Sequence, residues 1–361
     1  MRPALLSILR PALVLGLGLS MTAAPAPKAR KPEPGKNLQV FKGKGLDERS
    51  LDAAMDFMSA SLGVSCTHCH VRDEAKKTLA FDRDDLPAKQ TARRMIRMVR
   101  ALNKTHFNGA DVISCATCHA GHVKPEAMPP LREVGAARPA PAKPAAPADL
   151  PSVDSLLAKW VEASGGREAL LKASPRRSKG TLDLGGGRTL ALEVLQAEGR
   201  QHSTLTTPRG TLTEVFDGKQ GWTLRGGKAE PVEGSDATLL AMEADLQLPL
   251  HLAARFPSLT VLGKDTVDGK DAITVAAKAD DGTRALLAFD AASGLLVRRT
   301  TFTATPLGRM AEETTWQDFR AVDGLQVPFK AVNRSPERAT VATFSEIQPG
   351  AAVDPALFKR P

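Results

Sequence analysis

The sequence predicts a multidomain fold in which an α-helical unit is followed by an antiparallel β-rich domain with a few helices. All four cysteines and two helix-like apolar repeats lie before residue 124. Short β-like runs separated by Gly-containing turns dominate after residue 150. A Pro- and Ala-rich segment separates the two regions, and 361 residues suffice for two compact domains.

The first 26 residues have the pattern of a secretory signal peptide. Arg2 and Arg10 flank a short start that leads into the apolar run Pro11–Met21, and small residues follow at 22–26. The run is short for a transmembrane helix, although retention as a membrane anchor stays open. We therefore expect export to the periplasm, with no nucleic acid as partner. The net charge of +9 favours acidic protein partners or membrane association.

Residues 37–123 form the predicted helical unit, and they contain a repeat. Each copy has four residues at positions i, i+4, i+7 and i+11, which lie on one face of a helix. Each copy also precedes a C-x-x-C-H motif. The two sets are Leu51, Met55, Met58, Leu62 and Thr91, Met95, Met98, Leu102.

The two motifs, Cys66 to His70 and Cys115 to His119, use every cysteine of the chain. C-x-x-C-H is the pattern of c-type haem attachment. Two thiols form thioethers with one porphyrin, and the adjacent imidazole binds its iron. The sequence therefore predicts two covalently bound haems c, on Cys66 and Cys69 and on Cys115 and Cys118, with His70 and His119 as axial ligands. Two disulfides, or a Cys/His zinc site, are the alternatives.

The repeat nominates Met55 and Met95 as the second axial ligands. Thioether ligation raises the haem potential and suits electron transfer. Met58 and Met98 are interpreted as packing residues. His106 and His122 have no counterpart in the first repeat and are interpreted as surface residues.

The predicted helix from about Pro87 to Lys104 also carries a run of basic residues without an acidic one. At about 100° per residue, Arg93, Arg97, Arg100 and Lys104 lie together. We interpret them either as a solvated face or as a docking patch for an acidic redox partner.

Residues 124–150 are predicted to form a semi-rigid linker to a domain at 151–361. That domain opens with a helix at Val153–Ala163, and Ala237–Arg255 also has a helical pattern. Ala272–Thr300 predicts three successive antiparallel strands. Turns are predicted at Gly185-Gly186-Gly187, Asp217-Gly218, Asp268-Gly269, Asp281-Gly282 and Asp323-Gly324.

The cysteine-containing unit resembles the photosynthetic reaction centre cytochrome c subunit family. The resemblance covers about residues 37–125 and rests on LGVSCTHCH at 62–70, TARRMIRMVRALN at 91–103 and SCATCHAG at 114–121. In that family a helix bearing the distal Met precedes each haem, which supports Met55 and Met95. Reaction-centre subunits carry four haems, whereas this chain has two motifs, and Ala120 stands where Arg is common. We therefore expect a diheme relative in another electron-transfer chain.

The second domain resembles LolA-like carriers, which are antiparallel half-barrels covered by helices. That resemblance implies a lipid or other apolar ligand. The residues that carry it include Gly165-Gly166, Phe216-Asp217-Gly218, Gly221-Trp222, Phe289-Asp290, Gly294-Leu295-Leu296, Asp323-Gly324 and Pro328-Phe329.

Together these patterns predict a periplasmic diheme cytochrome that carries electrons between redox protein partners, with no catalytic residues of its own. Two other functions remain open. One is a diheme peroxidase, which needs an open or displaceable sixth position at one haem. The other is a lipid- or lipoprotein-binding protein with a haem sensor.

Overall fold

The structure is a computed structural model that describes residues 36–41, 48–126, 150–208, 210–225, 227–336 and 338–360. The chain divides into two compact units, one within residues 12–137 with 304–310 and the other within 138–303 and 311–361. The predicted signal peptide and residues 127–149 of the predicted linker lie outside the described residues. The domain boundaries inferred from the sequence therefore stay predictions.

Three helices form the frame of the first unit: α1 at Glu48–Leu62, α2 at Pro87–His106 and α3 at Cys115–His119. Pro87 starts α2, where its fixed φ and missing N–H are tolerated. Ile96 of α2 and Ala54 of α1 are buried in a small apolar cluster with Phe41. The two predicted long helices are therefore present.

A short β-hairpin lies between the first C-x-x-C-H motif and α2. Its strands are β1 at Val71–Asp73 and β2 at Thr78–Ala80, and Val71 pairs with Ala80. The sequence pattern does not predict this hairpin, because each strand has only three residues and no alternating pattern.

Over its described residues, the second unit is built on one open sheet of 13 antiparallel strands. From one edge to the other the order is β8-β7-β6-β5-β4-β3-β15-β14-β13-β12-β11-β10-β9. The strands are β3 Arg176–Asp183, β4 Thr189–Ala197, β5 Arg200–Thr207, β6 Gly210–Phe216, β7 Gly221–Arg225, β8 Lys228–Val232, β9 Ser258–Val267, β10 Lys270–Lys278, β11 Arg284–Asp290, β12 Leu296–Thr305, β13 Gly308–Val322, β14 Leu325–Ser335 and β15 Arg338–Pro349.

Adjacent strands of this sheet are consecutive in the sequence, except β15 and β3. The chain thus forms one meander from β3 to β8 and another from β9 to β15. Each predicted Gly-containing turn connects two consecutive strands of a meander, and the three strands predicted within Ala272–Thr300 are β10, β11 and β12.

In the part of the chain that the structure describes, four α-helices accompany the sheet: α4 at Val153–Ala163, α5 at Gly166–Leu171, α6 at Ser235–Ala244 and α7 at Leu248–Arg255. The helical segment predicted at Ala237–Arg255 is interrupted. Asp245 has an extended conformation and Pro249 lies in the first turn of α7, so the chain restarts there as a second helix.

The main core lies between α4, α7 and strands β10 to β12. Trp160 of α4 meets Phe289 edge to face with ring centroids 5.4 Å apart, and Leu252 and Phe256 are fully buried beside them. The predicted antiparallel sheet domain with a few helices is therefore present.

Candidate functional site

The first C-x-x-C-H segment is wound into a single helical turn soon after α1. A short 3₁₀ helix spans Cys66–His68. The backbone N–H of His70 donates to the carbonyl of Cys66 at 3.0 Å, and that of Cys69 donates to the same oxygen at 3.3 Å. Both thiols and the imidazole therefore lie on one helical turn. This brings them close enough together to bind a single porphyrin.

The imidazole of His70 is buried, with 8% of the residue exposed. It meets Phe81 edge to face at a centroid distance of 5.1 Å, and its Nδ1 has no hydrogen-bond partner among the described residues. Burial lowers the pKa of His70 to about 4, and the cations of Lys89 and Arg93 add to the decrease. A neutral buried imidazole with an unsatisfied nitrogen fits a metal ligand.

An ionic cluster of Asp84, Lys89 and Arg93 fixes the loop that carries Phe81. Arg93 Nη1 lies 2.7 Å from Asp84 Oδ2, and Lys89 Nζ lies 3.1 Å from Asp84 Oδ1. Lys89 also donates to the carbonyls of Phe81 and Arg83 at 2.7 and 2.6 Å. The Arg93 hydrogen bond is foremost in holding the pKa of Asp84 well below its usual range. The cluster therefore sets where this loop lies on the N-terminal turns of α2.

The second C-x-x-C-H segment is helix α3 itself. Ser114 and Thr117 form a capping box at its start, and the backbone N–H of Ser114 donates to Thr117 Oγ1 at 3.0 Å. His119 Nδ1 lies 2.9 Å from the carbonyl of His122. Because a carbonyl can only accept, Nδ1 carries the proton and Nε2 is left free to bind a metal.

The second segment is tied to both long helices. Asn103 of α2 is buried, and its side-chain amide donates to the carbonyl of Ile113 at 2.8 Å and accepts from its N–H at 2.9 Å. The N–H of Gly121 donates to the carbonyl of Ser61 in α1 at 2.9 Å. A Cβ at Gly63 would lie 2.1 Å from the carbonyl oxygen of Gly121. The end of α1 thus packs closely on the backbone that follows His119.

No disulfide joins any two of the four cysteines, all of which lie in the described residues. Burial raises the pKa of Cys69 and of Cys115. Within the described residues no group of three or more His, Cys, Asp or Glu side chains could hold a metal ion. The zinc alternative therefore has no ligand set in this part of the chain.

Large apolar side chains lie at the surface around the two motifs. Phe81, Met98, Leu102, Val112 and Val123 are each between 36% and 55% exposed. Phe81 contacts His70, and Val112 and Val123 lie within four positions of Cys115 and His119. Exposed apolar side chains beside the motifs can cover a bound apolar group. Together with the unsatisfied His70 nitrogen, they fit a large, flat, apolar group such as haem.

The four methionines of the repeat have different surroundings. Met55 and Met58 are both partly buried against the cluster of Phe41, Ala54 and Ile96. Met95 is partly buried, whereas Met98 is 43% exposed. This packing does not distinguish a ligand from a packing residue between Met55 and Met58. Met55 and Met95 therefore remain predicted ligands.

The predicted docking patch on α2 needs correction. Arg93 is buried, 5% exposed, and it donates to Asp84 and to the carbonyl of Asn37, so it cannot face a partner protein. Arg100 donates to the carbonyl of Val40 and covers the ring of Phe41. Arg100 is nonetheless exposed, as are Arg97 and Lys104.

The sheet unit contains a cavity of about 240 Å³ between the sheet and its helices. Trp160, Met242, Leu248, Leu296, Phe319 and Phe344 are among its apolar lining residues. Its polar lining includes Arg176, Gln196, Glu243 and Arg299. Such a cavity, mostly apolar with a few placed polar groups, is typical of a small-molecule site.

Comparison with protein families identifies the first unit's relatives. Residues 46–127 match the family described as photosynthetic reaction centre cytochrome C subunit. This confirms the resemblance inferred from the sequence. Comparison with curated proteins gives no match.

Several solved structures are similar to the sheet unit. A LolA superfamily protein from Nitrosomonas europaea has a TM-score of 0.42 at 11% identity, over 58% of this chain and 99% of that one. A DUF1329 family protein from Desulfovibrio piger has a TM-score of 0.41 at 13% identity, over 57% and 97%. A putative outer membrane lipoprotein-sorting protein domain from Vibrio parahaemolyticus has a TM-score of 0.40 at 10% identity, over 56% and 97%. LolA-type structures are thus among the similar ones, as the sequence predicted.

No helix in the described ranges is both long and apolar enough to cross a membrane.

Sequence reasoning missed the residues that position the site. Asp84, Lys89 and Asn103 belong to no motif, and their partners lie on other elements. In the sheet unit, Arg176 and Gln196 are 20 positions apart and meet only because β3 pairs with β4. A charge that the fold partly buries cannot be recognised before its strand neighbours are known.

Proposed function

We propose that this protein is an exported diheme c-type cytochrome that carries electrons between redox protein partners. The observation that carries the proposal is that both C-x-x-C-H segments are wound into single helical turns within a unit that matches a cytochrome family. Haem, when bound, supplies a one-electron couple at its iron.

The chain's own residues hold and orient the group. The thiols of Cys66 and Cys69 would hold one haem and those of Cys115 and Cys118 the other, each through two thioethers. His70 and His119 would bind the two irons. The carbonyl of His122 fixes the His119 ring by its bond to Nδ1, and Phe81 limits rotation of the His70 ring.

Met55 and Met95 complete the proposed ligand sets. A methionine at both sixth positions leaves no open coordination site, which suits a carrier rather than a peroxidase. Their helices precede the two motifs, and α1 and α2 share the apolar cluster of Phe41, Ala54 and Ile96. The periplasm is the proposed location, because covalent haem attachment and the predicted signal peptide both belong to exported proteins.

Intact-mass spectrometry of the full chain, expressed with haem-maturation machinery, tests the proposal. We expect the mass of the processed chain plus two haems. Cys66→Ala with Cys69→Ala should remove one haem, and Cys115→Ala with Cys118→Ala should remove the other. His68→Gln, inside the first motif but outside the ligand set, is the matched control and should retain both.

A chain that leaves a maturation-competent host with four free thiols, or with cystines, contradicts the proposal. A ferric spectrum with one high-spin haem that reacts with peroxide would instead favour the peroxidase.

A further inference from the structure

The guanidinium of Arg176 is an uncompensated charge in the cavity of the sheet unit. Arg176 begins β3 and lies opposite Gln196 of β4. Its Nε and Nη2 donate to Gln196 Oε1 at 3.3 and 2.8 Å, and no carboxylate pairs with it among the described residues. Burial lowers the pKa of Arg176 to about 10, so the side chain remains a cation at neutral pH.

Gln196 is itself fixed, and it holds Arg176 in place. Its Nε2 donates to the carbonyl of Glu243 at 2.7 Å and to Gln201 Oε1 at 3.1 Å. Its Oε1 is therefore the end that faces Arg176. Of the five N–H donors of a guanidinium, those on Nη1 and one on Nη2 stay available to a ligand.

The other charges of the cavity wall are matched. Arg299 is 1% exposed, and it pairs with Glu243 at 2.5 Å and covers the ring of Trp316. Asp245 accepts from Arg255 at 3.0 Å and lies 2.9 Å from His251 Nδ1. One positive charge thus remains, on Arg176. Arg176 is partly buried, and a partly buried charge without a counter-ion is costly unless a ligand supplies one.

We propose that this cavity binds a medium-chain monocarboxylate, with its carboxylate on Arg176 and its alkyl chain among Trp160, Met242 and Leu248. A planar guanidinium with free adjacent donors matches a carboxylate in a bidentate pair. One uncompensated charge calls for a singly charged head group. A volume of about 240 Å³ suits an alkyl chain of medium length. This site is independent of the proposed haem sites.

Isothermal titration of the full haem-loaded chain with decanoate, and separately with decanol, tests the site. Decanol has the same alkyl chain and no charge. We expect decanoate to bind at one site at least tenfold more tightly than decanol. Arg176→Gln should weaken decanoate binding at least tenfold and leave decanol binding unchanged.

Arg177→Gln is the matched control, because Arg177 is the next residue of β3 and pairs with Glu193 at 2.6 Å outside the cavity lining. It should bind decanoate as the wild type does. Equal affinities of the wild type for decanoate and decanol would overturn the proposal, as would absent binding or an unchanged decanoate affinity in Arg176→Gln.

A second measurement needs no variant. Trp160 and Trp316 line the cavity and Trp222 does not. A decanoate brominated along its chain should quench part of the tryptophan emission of the wild type, and unlabelled decanoate should restore it. If tryptophan emission stays constant while brominated decanoate saturates the protein, the ligand binds elsewhere and the proposed site is refuted.

Discussion

The two candidate proximal histidines have different surroundings. His70 is buried beside charged residues of the Asp84 cluster, with an unsatisfied ring nitrogen. His119 is partly buried, and a backbone carbonyl satisfies its Nδ1. The two proposed haem positions are therefore not equivalent in charge environment, although the motifs that define them have the same spacing.

Asp84→Asn should lower the stability of the first unit. The substitution removes the negative partner of both Arg93 and Lys89, and it leaves the buried Arg93 cation without a counter-charge. We expect a clear decrease in the urea midpoint of unfolding.

Asp85→Asn is the control, since Asp85 pairs with Arg83 at an exposed site, where ion pairs contribute little. Equal midpoints for the two variants would show that the Asp84 cluster is not stabilising.

Met55→Leu and Met95→Leu should each abolish the methionine-to-iron charge-transfer band of one ferric haem and lower the potential of that haem. Leucine keeps the packing volume but has no sulfur to donate. Met58→Leu and Met98→Leu are the controls in the same two helices. Loss of the band in Met58→Leu instead of Met55→Leu would show that the ligand is Met58, about one helical turn further along α1.

Helix α2 packs through a face different from the one its sequence pattern indicates. Its buried residues are Arg93, Ile96 and Asn103, whereas Met98 and Leu102 are exposed. An apolar stripe normally predicts the buried face. Here Arg93 is buried because Asp84 pairs with it, and Asn103 because it bonds to the backbone of Ile113. A helical pattern does not reveal polar partners that come from loops.

Gly63→Ala should destabilise the first unit more than Gly109→Ala does. Both glycines have positive φ, +66° and +79°, so each substitution costs about 1–2 kcal/mol in backbone strain. At Gly63 the new Cβ also meets the Gly121 carbonyl, whereas nothing lies within 4 Å at Gly109. Overpacking adds about 1–3 kcal/mol.

Chemical denaturation of both variants measures this difference. Indistinguishable free energies of unfolding would mean that the contact between the end of α1 and the second motif is readily displaced.

At the scale of the whole molecule, the net charge of the sequence overstates how many basic side chains are available to a partner protein. The chain carries a net charge of +9, but charged side chains in both units serve internal pairing, as Arg93 and Arg299 do. The basic residues of α2 that remain free for an acidic partner are fewer than the helical pattern indicates.

Arg97→Gln with Lys104→Gln should slow electron exchange with an acidic redox protein, on the order of tenfold at low ionic strength. The difference should fade as salt rises, because screening shortens the reach of exposed charges. Stopped-flow reduction over a salt series measures this. Lys77→Gln, an exposed lysine of the β1–β2 hairpin, is the control. If the rate of the double variant depends on salt concentration as that of the wild type does, Arg97 and Lys104 do not form a docking surface.

The sequence by itself determined the features that depend on near neighbours along the chain. The C-x-x-C-H turns, helix α4 and the Asp-Gly turns follow from residue spacing and backbone preference, which act within a few positions. The alternation of strands and turns was likewise enough to predict an antiparallel sheet.

Only the tertiary structure decided which charges are paired, which are buried and which face a cavity. Arg299 meets Glu243 across 56 positions, and Arg176 has no carboxylate partner at all among the described residues. Pairing of distant residues depends on how strands and helices are arranged, because burial and Coulomb energy follow distance in space. The proposed haem sites therefore rest mainly on spacing in the sequence, and the proposed carboxylate site rests on the fold.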